Sequence, residues 1–218
     1  VRSVQSVFVE DWAYTTGQSR KHFAGTVLWS AGDDGVLGQI SAQTLTSGPD
    51  SSWEAIHRLH VSASHEAKSR VWLVTPYFVP GEAARMALTS AALRGLDVRV
   101  IVPARSDSRI VSACARSYYD ELLAAGVRVC EYQPSMLHSK ALLVDEDTCV
   151  VGSANFDHRS FRLNFELSVL LHDVAFAARL EAEMQGIHLF GTYLTIDPWC
   201  YNIVREGEFV SPATVDEY

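Results

Sequence analysis

Long apolar runs are missing from this chain. No stretch of 18 consecutive apolar residues occurs among its 218, so no segment reads as a membrane-spanning helix. The residues after Val1 have no signal-peptide pattern. Cysteine is scarce: Cys114, Cys130, Cys149 and Cys200 form no Cys-x-x-Cys pair and no Cys/His spacing suited to zinc. That excludes a zinc module and a disulfide-dense scaffold. Cys130 and Cys149 fall in strand-like runs, where a thiol packs as a small apolar group, and a reducing compartment is the simplest expectation. Basic charge is short as well. Lys and Arg number 18 against 26 Asp and Glu, a net charge of −8. This argues against nucleic acid as a partner, because binding a phosphate backbone needs a basic surface. An initial methionine is also absent, so Val1 is expected to begin a piece of a longer protein.

Hydrophobic residues make up 48% of the chain and charged residues 20%, enough for one sizeable α/β core. Strand-like runs cover 39–46, 71–74, 98–102, 127–132 and 163–171. Helical patterns fall between them. One, capped by Ser51 or Ser52, runs through about His65, with His57, His60 and His65 read as its surface rather than as ligands. Others cover 82–94, stopped by Gly95, 109–125, stopped by Gly126, and 174–188. This alternation predicts a mixed, largely parallel sheet flanked by helices on both faces. Residues 1–38, with Gly, Asp, Ser and Thr common over 13–37, read as a connecting segment. Residues 39–190 read as the domain and 191–218 as a divergent, acidic tail.

The informative stretch is 138–155. His138, Lys140, Asp145, Gly152, Ser153 and Asn155 form His-x-Lys-x4-Asp-x6-Gly-Ser-x-Asn. At about one in twenty per position, six such matches recur on the order of once in 10⁵ to 10⁶ random chains of this length. Singly, each has an ordinary explanation as a surface pair or a turn. Jointly they suit a phosphodiester. Met136 to Val144 reads as a strand, on which His138 and Lys140 project side by side. Asp145-Glu146-Asp147 reads as the turn of a hairpin into Thr148 to Gly152. An imidazole here can attack phosphorus and form a phosphohistidine. Lys140, Ser153 and Asn155 can hold the non-bridging oxygens, so neither metal nor cofactor is expected. Glu166, a lone charge in an apolar run, is the candidate partner that fixes the His138 ring. Asp145 is given a supporting part, since its odd offset from Lys140 takes it off the shared face. Gly152, Tyr77, Phe78 and Arg109 are candidate substrate contacts, with Arg105 an alternative to Arg109 for a headgroup phosphate.

The His-x-Lys-x4-Asp-x6-Gly-Ser-x-Asn run resembles the signature of the phospholipase D superfamily. Its extension from Asn155 to Glu166, Asn-x-Asp-x-Arg-Ser followed by Asn-x-Glu, resembles the bacterial cardiolipin synthase branch. Thr75 to Pro80, Ala91 to Val98, Ser47-Gly48-Pro49 and Phe8 to Trp12 agree with it. Members of that branch carry two such motifs, and none of the other histidines here begins a second one. The resemblance therefore implies a phospholipase D-like fold and the second, C-terminal half of a two-motif site. It implies a phosphatidyltransferase that converts phosphatidylglycerol to cardiolipin through a phosphohistidine. His138 would then be the general acid of the first step, although the residues alone leave nucleophile and acid both open. It also implies a glycerophospholipid substrate and a site completed by the missing half or by a second copy. The parent would meet the cytoplasmic face of a bacterial membrane, with this chain itself soluble. Two alternatives stand beside it: a single-motif homodimeric phosphodiesterase or nuclease, and a catalytically incomplete fragment.

Overall fold

The computed structural model describes residues 2–23, 40–189, 191–196, 203–205 and 208–209. Helix α1 (Arg2–Thr16) and a 3₁₀ turn (Arg20–Phe23) come first. Next come β1 (Ser41–Ser47), α2 (Ala55–Glu66), β2 (Arg70–Val74), β3 (Phe78–Val79), α3 (Glu82–Leu93) and β4 (Asp97–Pro103). Helices α4 (Arg109–Arg116) and α5 (Tyr119–Ala124) lead to β5 (Arg128–Tyr132), β6 (Ala141–Val144) and β7 (Thr148–Gly152). After β8 (Phe156–Asp157), α6 (His158–Arg162), β9 (Glu166–His172) and α7 (Val174–Leu189) come β10 (Gly191–Ile196), β11 (Ile203–Arg205) and β12 (Glu208–Phe209).

The main sheet has ten strands in the order β1-β9-β7-β6-β2-β4-β5-β10-β11-β12. It is mixed, as the alternation predicts, but mostly antiparallel rather than largely parallel. Outside it β3 and β8 form a separate parallel pair; among the described residues of the main sheet only β2–β4 and β4–β5 pair in parallel. Those are the pairs joined through crossover helices, α3 and then α4–α5; the β6–β7 hairpin forces its own neighbours to run in opposite directions. The sheet also continues past residue 190, because β10 pairs with β5.

Side chains alternate across β2 and build two cores. Val71 and Leu73 pack with Ile56 of α2, Leu88 of α3, Leu122 of α5 and Phe161 of α6. Trp72 and Val74 pack with Ala177 and Met184 of α7 on the opposite face. With both faces covered, the central strands have no polar side to show, which explains their unbroken apolar runs.

Four local expectations are corrected. Residues 13–16 continue α1 instead of forming loop, and residues 24–39 lie outside the described residues. Neither Ser51 nor Ser52 caps α2; Glu54, in a left-handed conformation (φ 46°), precedes it. The first-turn amide of Ile56 is instead satisfied by Ser47 Oγ from β1 at 3.1 Å. His57 and His60 are buried rather than on the helix surface: His57 stacks on Phe161 with centroids 4.7 Å apart, and His60 Nδ1 lies 2.8 Å from Ile56 O. The helix expected over 109–125 is two, because the chain turns at Ser117–Tyr118. The turn lets Arg116 reach Glu131 at 3.0 Å and the Ala104 carbonyl at 3.3 Å.

Candidate active site

His138 and Lys140 sit just before β6, in irregular chain rather than on a strand. Their closeness has another origin. Lys140 Nζ donates to the His138 carbonyl at 2.8 Å and lies 3.0 Å from His138 Nδ1. An ammonium can only donate, so Nδ1 accepts and the ring proton is assigned to Nε2. Burial pulls Lys140 below the ordinary ammonium range, opposed by the carboxylates of Glu166 and Asp157. His138 itself is exposed.

Ser153 leaves the end of β7, and Glu166 opens β9, its neighbour in the sheet. The register Gly152↔Ser168 brings the two together. Ser153 Oγ donates to Glu166 and accepts from the Leu167 amide at 3.0 Å. The other Glu166 oxygen accepts from Asn164 Nδ2 at 3.1 Å. Glu166 therefore holds Ser153 and Asn164, and no hydrogen bond joins it to His138 among the described residues. The expected pairing is corrected by the sheet register, which turns Glu166 toward the end of β7. Gly152 has a packing reason: a Cβ there would stand 2.7 Å from Ser168 Cα and would also strike the Leu167 carbonyl. Glycine is what lets β7 and β9 close behind Ser153.

Asp145 lies at the opposite end of β6 from the His138–Lys140 patch. It adopts φ 52°. Its carboxylate accepts from the amides of Lys68, Ser69 and Arg70 at 3.0, 2.8 and 3.1 Å and from Ser69 Oγ at 2.9 Å. Burial alone would raise its pKa, but these bonds outweigh it and hold the carboxyl below its usual range. Asp145 ties the hairpin turn to the start of β2 and does not reach the patch.

The segment after β2 supplies the neighbouring wall. Buried Thr75 donates to the Tyr77 carbonyl at 2.9 Å and accepts from the Phe156 amide at 3.0 Å. It thereby fixes Tyr77 relative to the chain just past Asn155. The Tyr77 ring meets His138 edge to face, centroids 6.3 Å apart. Its hydroxyl donates to both Asp107 oxygens at 2.8 Å. That bond lowers Asp107 and raises Tyr77 from their ordinary values. Phe78 is corrected: it is 1% exposed and stacks on Phe156, so it belongs to the core. Arg109 is exposed at the start of α4, and Arg105 is exposed too.

A cleft of about 530 Å³ opens beside Tyr77, lined also by Asp107, Ser108, Asn155, Asp157, His158, Arg159 and Asn164. Asn155 Oδ1 is buried there without a hydrogen-bond partner. A separate depression is formed by His138, Lys140, Ala141, Val151, Ser153 and Leu180. Among the described residues no group of three or more His, Cys, Asp or Glu is placed to hold a metal ion. Asp107 was not foreseen from the sequence. The loop at 103–109 was expected to contribute an arginine for phosphate, and nothing in its residue order shows that Tyr77 would meet a carboxylate instead.

The chain matches the family described as cardiolipin synthase, PLD-like domain, over residues 61–188. It belongs to this family. It is 40% identical over 186 residues to a cardiolipin synthase of Alkalihalophilus pseudofirmus, covering 84% of this chain and 36% of that protein. Against cardiolipin synthase A of Pseudomonas putida (strain GB-1) the identity is 46% over 179 residues, covering 82% and 36%. The chain thus spans about a third of the length of the curated relatives it matches. Nuc from Salmonella typhimurium, a solved phospholipase D family member, shares the fold with a TM-score of 0.61 at 23% identity, covering 72% of this chain and 99% of its own. Phosphatidylserine synthase of Haemophilus influenzae Rd KW20 does so at 0.58 and 18%, covering 71% and 40%. In this PLD-like domain no helix among the described residues is long and apolar enough to cross a membrane.

Proposed function

We propose that this PLD-like domain supplies the second half of a phosphatidyltransferase site that exchanges the alcohol of a glycerophospholipid through a phosphohistidine. The observation that carries this reading is the Lys140–His138 pair. With Lys140 at the Nδ1 edge, Nε2 is the ring nitrogen turned outward. Protonated at both nitrogens, with Lys140 kept on the His138 carbonyl, His138 gives the Nε2 proton as a general acid, and once neutral it accepts one there. In the first step a histidine from the other half attacks phosphorus while His138 protonates the leaving alcohol oxygen. In the second step neutral His138 takes the proton of the entering alcohol, whose oxygen bonds phosphorus as the phosphorus–nitrogen bond breaks. Lys140 and Asn155 hold the non-bridging oxygens, where transition-state charge collects, and Ser153 joins them when its one proton turns from Glu166 to the phosphate. Until then Glu166 holds the Ser153 hydroxyl in place, and Asp145 serves the fold alone. The product is cardiolipin, the lipid in the relatives' names, and the substrate is phosphatidylglycerol. The membrane surface is reached through the remainder of the parent protein.

The test is transfer on phosphatidylglycerol vesicles by the protein carrying both halves of the site, followed as cardiolipin and glycerol formed. His138→Ala is expected to lower the rate by about 10³-fold or more while leaving the unfolding midpoint nearly unchanged, because the residue is exposed and acts on the proton in flight. Retained activity in that variant would remove His138 from the mechanism.

A further inference from the structure

Asn155 apart, the lining of the cleft beside Tyr77 is not used by the chemistry above, and it is unlike a phosphate site. It presents two carboxylates, Asp107 and Asp157, against one guanidinium, Arg159, and one imidazole, His158. Asn155, Asn164 and Ser108 add neutral donors and acceptors, and Val79 and Val111 add apolar wall. Net negative lining disfavours an anion. One tyrosine, already turned edge-on to His138, cannot cage a quaternary ammonium. Carboxylates and carboxamides with free acceptor capacity suit hydroxyl groups, which donate and accept at once. The volume, about 530 Å³, falls within the ~300–1,000 Å³ of small-ligand sites.

We infer that this cleft seats the vicinal diol of a glycerol headgroup, with Asp107 accepting from its hydroxyls. The inference rests on the reading of His138 as the acid on the leaving oxygen, since Tyr77 is wall to the cleft and neighbour to that ring. In an exchange through a covalent intermediate, the entering alcohol attacks from the side the leaving alcohol vacated. One cleft therefore serves the headgroup of the donor first and that of the acceptor second. One phosphodiester replaces another, a proton is given and a proton taken, and nothing is oxidised.

The test begins with binding and needs no turnover. Soluble glycerophosphoglycerol and glycerophosphocholine are titrated onto this chain and followed by ligand-observed NMR. Wild type is expected to prefer the glycerol-headed diester by about fivefold or more, and Asp107→Ala to erase that preference, in line with loss of a charge-assisted hydrogen bond. Asp107 is exposed, and an unchanged melting temperature certifies the variant's fold; Tyr77→Phe, which leaves the carboxylate in place, retains the preference. Equal affinities, no saturable binding, or a preference untouched by Asp107→Ala would each overturn the assignment. In the protein with its complete site, Asp107→Ala lowers cleavage of glycerol-headed relative to choline-headed donor, and also lowers transfer relative to hydrolysis. A change in only one of these ratios overturns shared use of the cleft. If no lipid is turned over while the binding preference stands, the proposed activity fails and the diol site does not.

Discussion

Asp145 and His138 belong to one motif, yet the molecule uses them at opposite ends of a strand. Asp145 collects three backbone amides and a hydroxyl from Lys68 to Arg70 while holding φ 52°. Aspartate and asparagine tolerate that conformation better than most residues. Asp145→Ala is therefore expected to cost about 2–3 kcal/mol of stability, from the loss of charge-assisted hydrogen bonds and the strained turn left behind. Asp145→Asn keeps the turn and removes the charge. The folded carboxyl is held below its unfolded value, so its contribution is full above about pH 4 and is lost as the pH falls through the folded pKa. Urea unfolding between pH 5 and 3 checks this: the acid-side loss of stability is expected to be shallower in Asp145→Asn than in wild type. An identical slope would mean the carboxylate is not the group that titrates with folding.

At the scale of elements, helix α2 carries the second pH-dependent group. Burial lowers His60 to about 4 from an ordinary 6.5, opposed by its bond to Ile56 O and reinforced slightly by His57. Its folded pKa is depressed, so it stays neutral in the fold while the unfolded chain takes up a proton. Stability is full above pH 6.5 and declines as the pH drops toward 4, by roughly 3 kcal/mol at the lower end. His60→Leu, close in volume, is expected to flatten the stability profile within that window, above the range where Asp145 acts. A profile as steep as wild type in equilibrium unfolding would assign the decline to another group. The same helix shows what residues alone reveal. Its position is legible from periodicity, and β2, β4, β5 and β7 follow from short apolar runs. Which face of α2 is buried is not, because a histidine reads as polar until Phe156 and Phe161 pack around it. Strand direction is likewise silent in composition: nothing in Ala141–Val144 says that it runs antiparallel to β2. His138, Lys140 and Ser153, which line one depression, were legible together because motif spacing is local. The Tyr77–Asp107 contact and the Glu166–Ser153 bond were not, since each is made by register and loop path between distant segments.

At the scale of the whole molecule, the chain has one His-x-Lys-x4-Asp motif and a candidate acid open to solvent. A phosphohistidine route needs a nucleophile and an acid at once, and one imidazole cannot be both. The second histidine must come from another segment or from a twofold partner, since twofold symmetry brings two copies of one residue face to face. These cases separate in one experiment, light scattering on the purified chain with phosphodiesterase activity assayed on the same fractions. The chain alone is expected to elute as an inactive monomer of about 24.1 kDa and to gain activity only when the half carrying the first motif is supplied. An active dimer, silenced by His138→Ala, would instead make the chain a self-sufficient single-motif enzyme and move the nucleophile onto a second copy of His138. Its substrate would then need testing afresh. The net charge of −8 still weighs against nucleic acid, and a duplex that competed with lipid at physiological salt would contradict that weight.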